Sequence, residues 1–280
     1  MDRGKLNPHD KKKPIISVIT TAYNAEKFVL EAIESILGQS WSDFEYIIID
    51  DGSTDRTADM IESIEDPRVS FVRSGRIGRG KALNLALKQA QGRYIAIQDA
   101  DDISLPNRFS VQLEFMKKAK GHAAITSEVV RIRNSQRIGL YALSQVDRSD
   151  IKLSEITKQI CYFNPMKHSS AIIPRDSLLR IGGYNDIRKN LFDWDMFSRH
   201  VANGGKLYLI SMPLIVKRLH RDQFFESKNR ADYVLSSVKL QYQIMKNFGR
   251  KKLILLLPFL MVYRFLPSRM RMLLRATVAR

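Results

Sequence analysis

The chain has 280 residues, 44% of them hydrophobic and 27% charged, which excludes a largely disordered polypeptide and suits one large α/β domain, with or without an appendage. Lys and Arg outnumber Asp and Glu by 46 to 29, and the formal charge of +17 favours anionic partners: nucleic acid, anionic lipid or phosphorylated small molecules. The one cysteine, Cys161, excludes an intramolecular disulfide and reads as a small buried apolar residue in a reducing compartment.

Residues 1–13 read as a polar, solvated arm without the apolar stretch of a secretory signal, so a cytoplasmic location is expected. From Ile15 to Thr20 a β-branched run predicts a buried strand. Asn24 is placed to cap a helix whose apolar face carries Phe28, Ile33, Ile36 and Leu37. A second strand, Phe44 to Ile49, runs into Asp50-Asp51-Gly52-Ser53, where Gly52 permits a tight turn and Ser53 or Thr54 can cap the next helix. Val69 to Val72 is a third strand. A Gly- and Arg-rich loop then leads to a helix from Ala82 to Gln91, and Tyr94 to Ile97 is a fourth strand. Strands alternating with helices predict a doubly wound, mostly parallel α/β sheet, whose ligands bind beyond the carboxyl ends of the strands. Further strands are expected at 123–127, 128–132, 169–173, 207–210 and 215–219, with helices at 192–200 and 231–248.

Two of the first four strands end in acidic clusters. In Asp99-Ala100-Asp101-Asp102 the carboxylates repel one another unless a cation neutralises them, and hard oxygen ligands suit Mn2+ or Mg2+ carrying a diphosphate. A solvated acidic turn is the competing reading. At Asp50-Asp51 a carboxylate can accept from a nucleobase N–H or a ribose hydroxyl, against the plainer reading of a capped turn. The two clusters together imply one site at one sheet edge. There Tyr23, at the end of the first strand, can stack on a base.

The segments Ser17–Asn24, Ile49–Asp55, Gly80–Asn84, Gly92–Asp102, Ile181–Tyr184 and Asp193-Trp194-Asp195 resemble, in order and spacing, the family 2 glycosyltransferases with the GT-A fold. The resemblance spans roughly residues 14–225. It implies nucleotide-base contacts at Thr21, Tyr23 and Asp51, with Asp51 on the uracil edge of a UDP-sugar. It also implies a metal-binding DxD motif at Asp99 and Asp101, and donor-site residues at Lys81 and Asn84. Asp193 matches the catalytic base of a direct displacement that inverts the anomeric centre. The family often has Glu-Asp there, whereas this chain has Phe192-Asp193, which leaves Asp195 as a rival. Because the two point to different sides of a helix, both cannot face one acceptor. His220 resembles a histidine that closes the donor site near the metal, and His168 is a further acceptor-side candidate.

On this reading residues 14–228 form the transferase domain, with a nucleotide-sugar-binding half at 14–110 and an acceptor-side half at 111–228. The expected partners are a nucleoside-diphosphate sugar and a saccharide or lipid-linked saccharide, as in cell-surface polysaccharide or glycolipid assembly. Three alternatives stand beside it. Gly75 to Ala82 nearly spells a P-loop, but Ala82 lacks the hydroxyl that holds Mg2+. No sequence-specific nucleic-acid motif accompanies the positive charge. A silent nucleotide-sugar-binding relative is conceivable because of Phe192. Residues 229–280 read as a helical, basic extension. From Asn247 onward it has no acidic residue, and its short apolar run from Leu253 to Tyr263, broken by Pro258, suits an anionic membrane surface better than a span. The expected location is therefore the inner face of the cytoplasmic membrane.

Overall fold

The computed structural model describes residues 13–119, 122–133, 150–219 and 230–266. Its centre is one sheet of nine strands. The first four, β1 (Ile16–Ala22), β2 (Phe44–Asp50), β3 (Val69–Arg73) and β4 (Tyr94–Ile97), are parallel and lie in the order β3-β2-β1-β4. Strands buried on both faces need apolar residues at successive positions, which is why β1 and β2 read as near-continuous β-branched runs, while β3 at the sheet edge leaves Ser70 and Arg73 exposed. The alternation is intact beneath that run. Ile19, Ile47, Ile49, Ile95 and Ile97 face one core, while Ile16, Val18, Tyr46, Ile48 and Ala96 face the other. Helix α3 (Arg79–Gln89) covers the first face through Ala82, Leu83 and Ala86; α1 (Val29–Leu37) and α4 (Arg108–Lys118) cover the second through Ile33, Ile36 and Phe109. A shorter helix, α2 (Thr57–Glu62), joins β2 to β3.

The second half adds β5 (Ile103–Ser104), β6 (Ala123–Arg133), β7 (Leu153–Glu155), β8 (Ile172–Pro174) and β9 (Lys206–Leu219). Strand β8 is antiparallel to both β4 and β6, and β6 runs parallel to β9. Several expectations change here. The two strands expected at 207–210 and 215–219 are one strand that passes through Pro213. Proline donates no ladder hydrogen bond, and the register against β6 slips where Glu128 meets Pro213. The strand expected from Ser169 is a 3-10 turn, His168–Ser170, that precedes a shorter β8. Asn24 does not cap α1. Its side chain accepts from the Thr54 N–H (2.8 Å), tying the end of β1 to the turn after β2. Ser53 likewise binds Asp50 rather than capping α2.

Helices α5 (Arg175–Arg180), α6 (Phe192–Ala202), α7 (Arg230–Asn247), α8 (Lys251–Ile254) and α9 (Leu257–Phe265) complete the described chain. Helix α7, expected to open an appended extension, sends Leu240 and Ile244 into the same core as α3 and α6. The region from 230 to 247 is thus built into the body of the domain.

Candidate functional site

The carboxyl ends of β1, β2 and β4 meet at one edge, because the register sets Ala22 beside Asp50 and Ile19 beside Ile97. The Ala22 carbonyl accepts from the Asp51 N–H (2.8 Å), which fixes the two strand ends against each other. Thr21 is half-buried at this edge, and Tyr23 is exposed. Asp51 is buried, and its carboxylate gathers the loop that follows β3. Oδ1 accepts from the Ile77 and Gly78 N–H groups (2.8 Å each), and Oδ2 takes the Arg76 guanidinium at 2.7 Å. That guanidinium also lies 3.4 Å from the centre of the Tyr23 ring, a cation–π stack. Gly52 permits this closure. Its φ is +75°, and a Cβ there would fall 2.6 Å from the Arg76 nitrogen.

The second cluster follows β4. Ligand atoms of Asp99, Asp101 and Asp102 lie within 4.8 Å of one another. Arg79, at the start of α3, is ion-paired to Asp99, and Lys217 approaches Asp99 (3.9 Å) and Asp102 (3.7 Å). Antiparallel pairing of Ile103 with Val216 sets Lys217 opposite Asp102. Burial opposes ionisation of Asp99, but Arg79 and Lys217 outweigh it and hold the carboxyl well below its usual range. Burial wins at Asp102, which is pushed up to about 7 despite Lys217. Asp102 Oδ2 is buried without a hydrogen bond. A hard divalent cation fits this donor set, three carboxylates with one oxygen unsatisfied.

A buried arginine positions the acidic turn. Arg108 is fully buried and donates to the Ile97 carbonyl (2.8 Å), Gln98 Oε1 (3.0 Å), Ser104 Oγ (2.9 Å) and Gln112 Oε1 (3.2 Å). Gln98 in turn donates to the Asp102 carbonyl (2.7 Å). Burial lowers the Arg108 pKa to about 9. Arg108→Leu strands several buried acceptors, so a loss of about 3 kcal/mol is expected in urea denaturation.

The facing wall comes from α6. Asp193 is half-buried and accepts from Asn164 Nδ2 (2.8 Å); its charge acts on Arg79, His168 and Tyr184. His168 is hydrogen-bonded to the Tyr184 hydroxyl (3.0 Å), and burial lowers its pKa to about 4. The rings of Tyr184 and Phe192 pack edge-on against it. Phe192 therefore lines an aromatic wall, with the Arg79 guanidinium 5.4 Å from its ring centre. Asp195 is turned away. Arg188 (2.9 Å) and Arg199 (2.8 Å) take its two oxygens, and Arg199 also binds the Ile181 and Gly183 carbonyls.

Of the other expected donor-site residues, Asn84 is engaged within the protein. The Asn84 amide is spent on the Tyr184 backbone, donating to its carbonyl and accepting from its N–H (2.8 Å each), because the Gly183 turn brings that backbone onto α3. A Cβ at Gly183 would lie 2.4 Å from Asn84 Oδ1. Asn84 is thus a clamp between α3 and the 182–184 turn. Lys81 is exposed on α3, and His220 lies outside the described residues. Lys217, Arg108 and Asn164 carry no motif signal in the sequence, whereas Arg79 stands in the Gly- and Arg-rich loop that leads into α3. Lys217 and Asn164 meet the site only through long-range pairing, while Arg108 folds back onto Ile97, Gln98 and Ser104 shortly before it in the chain.

Residues 17–181 match the family model described as glycosyl transferase family 2. An uncharacterized glycosyltransferase of Methanocaldococcus jannaschii is 31% identical over 243 residues, covering 84% of this chain and 82% of its own. The UDP-Glc:alpha-D-GlcNAc-diphosphoundecaprenol beta-1,3-glucosyltransferase WfaP of Escherichia coli is 40% identical over 107 residues, 38% of this chain and 43% of that one. Among solved structures, TarS 1-349 of S. aureus in complex with UDP-GlcNAc superposes with a TM-score of 0.64 at 20% identity, covering 82% of this chain and 66% of that chain. That likeness gives the fold, a GT-A-type mixed α/β sheet.

Proposed function

The chain belongs to glycosyl transferase family 2 and is a glycosyltransferase, and from that premise we propose that it moves a sugar from a UDP-sugar to an acceptor hydroxyl with inversion. The single observation that carries this reading is the meeting of Asp51 and its 76–78 loop, the 99–102 carboxylates and Asp193 beside one sheet edge. Thr21, Tyr23 and Asp51 form the base pocket, and a base stacking on the covered face of Tyr23 takes the place of Arg76 there. Asp99 and Asp101, with Asp102 beside them, would hold Mn2+ or Mg2+. Bound there, the ion supplies Lewis-acid stabilisation of the departing diphosphate. Arg79 and Lys217 add fixed positive charge to the same leaving group.

Asp193 takes the proton of the acceptor hydroxyl as the hydroxyl oxygen attacks the anomeric carbon. The bond from that carbon to the diphosphate oxygen breaks, and its electron pair leaves with UDP. Asn164 holds the Asp193 carboxylate in one orientation. Attack from the face opposite the leaving group, with no covalent nucleophile, inverts the centre. The acceptor side is residues 111–228, and the product class is cell-surface polysaccharide or glycolipid, in keeping with the UDP-Glc donor and diphosphoundecaprenol acceptor that WfaP's description gives.

Calorimetric titration with UDP and GDP, each with and without Mn2+, tests the donor side. The expected result is Mn2+-dependent UDP binding that falls at least tenfold in Asp101→Ala. Preference for GDP would overturn the uracil assignment at Asp51. Absence of both, in folded protein with Mn2+ present, would overturn the donor site.

A further inference from the structure

Helix α9 is apolar nearly all round. Between residues 253 and 266 the one charged side chain is Arg264, and it points inward. It donates to Ser237 Oγ (2.9 Å) and Gln241 Oε1 (2.7 Å) on α7, and its guanidinium lies 5.6 Å from the Trp194 ring centre. Arg230 caps the far end of the helix through the carbonyls of Arg264, Phe265 and Leu266. Polar anchors therefore set the rotation of α9, and the rotation turns apolar groups outward. Leu255 is 76% exposed, Phe259 75% and Val262 62%. A helix packed only to bury its apolar side would be turned the other way.

The charge of the sequence on either side of this helix names its occupant. The sequence flanks it with Arg250, Lys251 and Lys252 before, and Arg269, Arg271, Arg275 and Arg280 after, with no acidic residue from 247 to 280. Two copies meeting through it would bring like charges together, whereas an anionic lipid surface accepts both the apolar residues and the cations. No described helix is long and apolar enough to cross a membrane, which fits a face that lies on the surface. The face also continues toward Asp193. Arg264 approaches the Tyr162 carbonyl (3.4 Å), Tyr162 and Phe163 are exposed, and the next residue, Asn164, binds Asp193.

We propose that the outward face of α8–α9, with Phe163 at its margin, seats on an anionic bilayer and presents Asp193 to acceptors held in that bilayer. The acceptor class is then a lipid-linked saccharide rather than a free one; this part rests on Asp193 marking the acceptor side. The test is co-sedimentation of the full chain with vesicles of phosphatidylcholine alone and of phosphatidylcholine with 25% phosphatidylglycerol, at low and high salt. Wild type is expected to bind the anionic vesicles at least tenfold more tightly, less so in salt. Phe259→Ser/Val262→Ser should lose at least tenfold, and Phe163→Ser two- to fivefold, with melting temperature and UDP titration unchanged. Equal binding by wild type and the double variant, or none by wild type, overturns the docking face. A dimer lost in the double variant with vesicle binding intact reassigns the face to self-association. An unaffected Phe163→Ser overturns the orientation. The UDP titration reads the donor site separately, so its failure counts against the transferase chemistry and leaves the vesicle result to judge docking.

Discussion

Asp193→Ala is expected to lower kcat by about 10²–10⁴-fold while the melting temperature and the Mn2+-dependent UDP titration stay at their wild-type values. The argument is geometric. Asp193 is half-buried on the first turn of α6, accepts a hydrogen bond from the neutral amide of Asn164, and shares a site with Arg79 and His168. A carboxylate held this way keeps an oxygen available for an incoming hydroxyl proton. Removing it deletes a proton acceptor without removing a pillar of the fold. KM for the donor should move little, since Asp51, Asp99 and Asp101 remain. Single-turnover kinetics with a competent acceptor would read the loss in the chemical step. An unchanged kcat would place the base elsewhere, and a parallel loss of UDP binding would make Asp193 a donor-site residue.

The parts of this molecule that a reader of the sequence can see are those whose cause is local. Strands β1, β2 and β4 are buried on both faces, so their apolar runs announce them, and the acidic clusters stand directly at the ends of β2 and β4. What stays hidden is set by pairing between distant segments. Lys217 reaches Asp102 only because β9 lies antiparallel to β5, and Asn164 meets Asp193 across 29 residues. Asn84 is the converse case. Its place after Gly80 and Lys81 fits a donor residue, yet a glycine turn 100 residues later takes both ends of its amide. Helix α4 carries a charged residue, Arg108, in its fully buried face, which blurs the apolar period that would have revealed it. Helix α7 lies in the stretch 229–280 that the basic apolar end marks as an extension, yet its Leu240 and Ile244 belong to the central core.

Asp195 makes the sharpest contrast with Asp193, two residues away on the same helix. Both of its oxygens are engaged by Arg188 and Arg199, and its side chain is 10% exposed. Asp195→Ala leaves two guanidinium groups facing each other without their shared counter-ion, so a destabilisation of about 2–4 kcal/mol is expected. The effect should spread to the site by a traceable route. Arg199 holds the Ile181 and Gly183 carbonyls, and the 182–184 turn sets Tyr184, which Asn84 clamps and His168 bonds. Loss of Asp195 therefore loosens the aromatic wall beside Asp193. Activity should fall with the folded fraction and recover in part at lower temperature, whereas Asp193→Ala should stay inactive at every temperature. Urea denaturation with kinetics at two temperatures separates the cases. A fully stable Asp195→Ala that has lost turnover would instead give Asp195 the role of base and make Asp193 its neighbour.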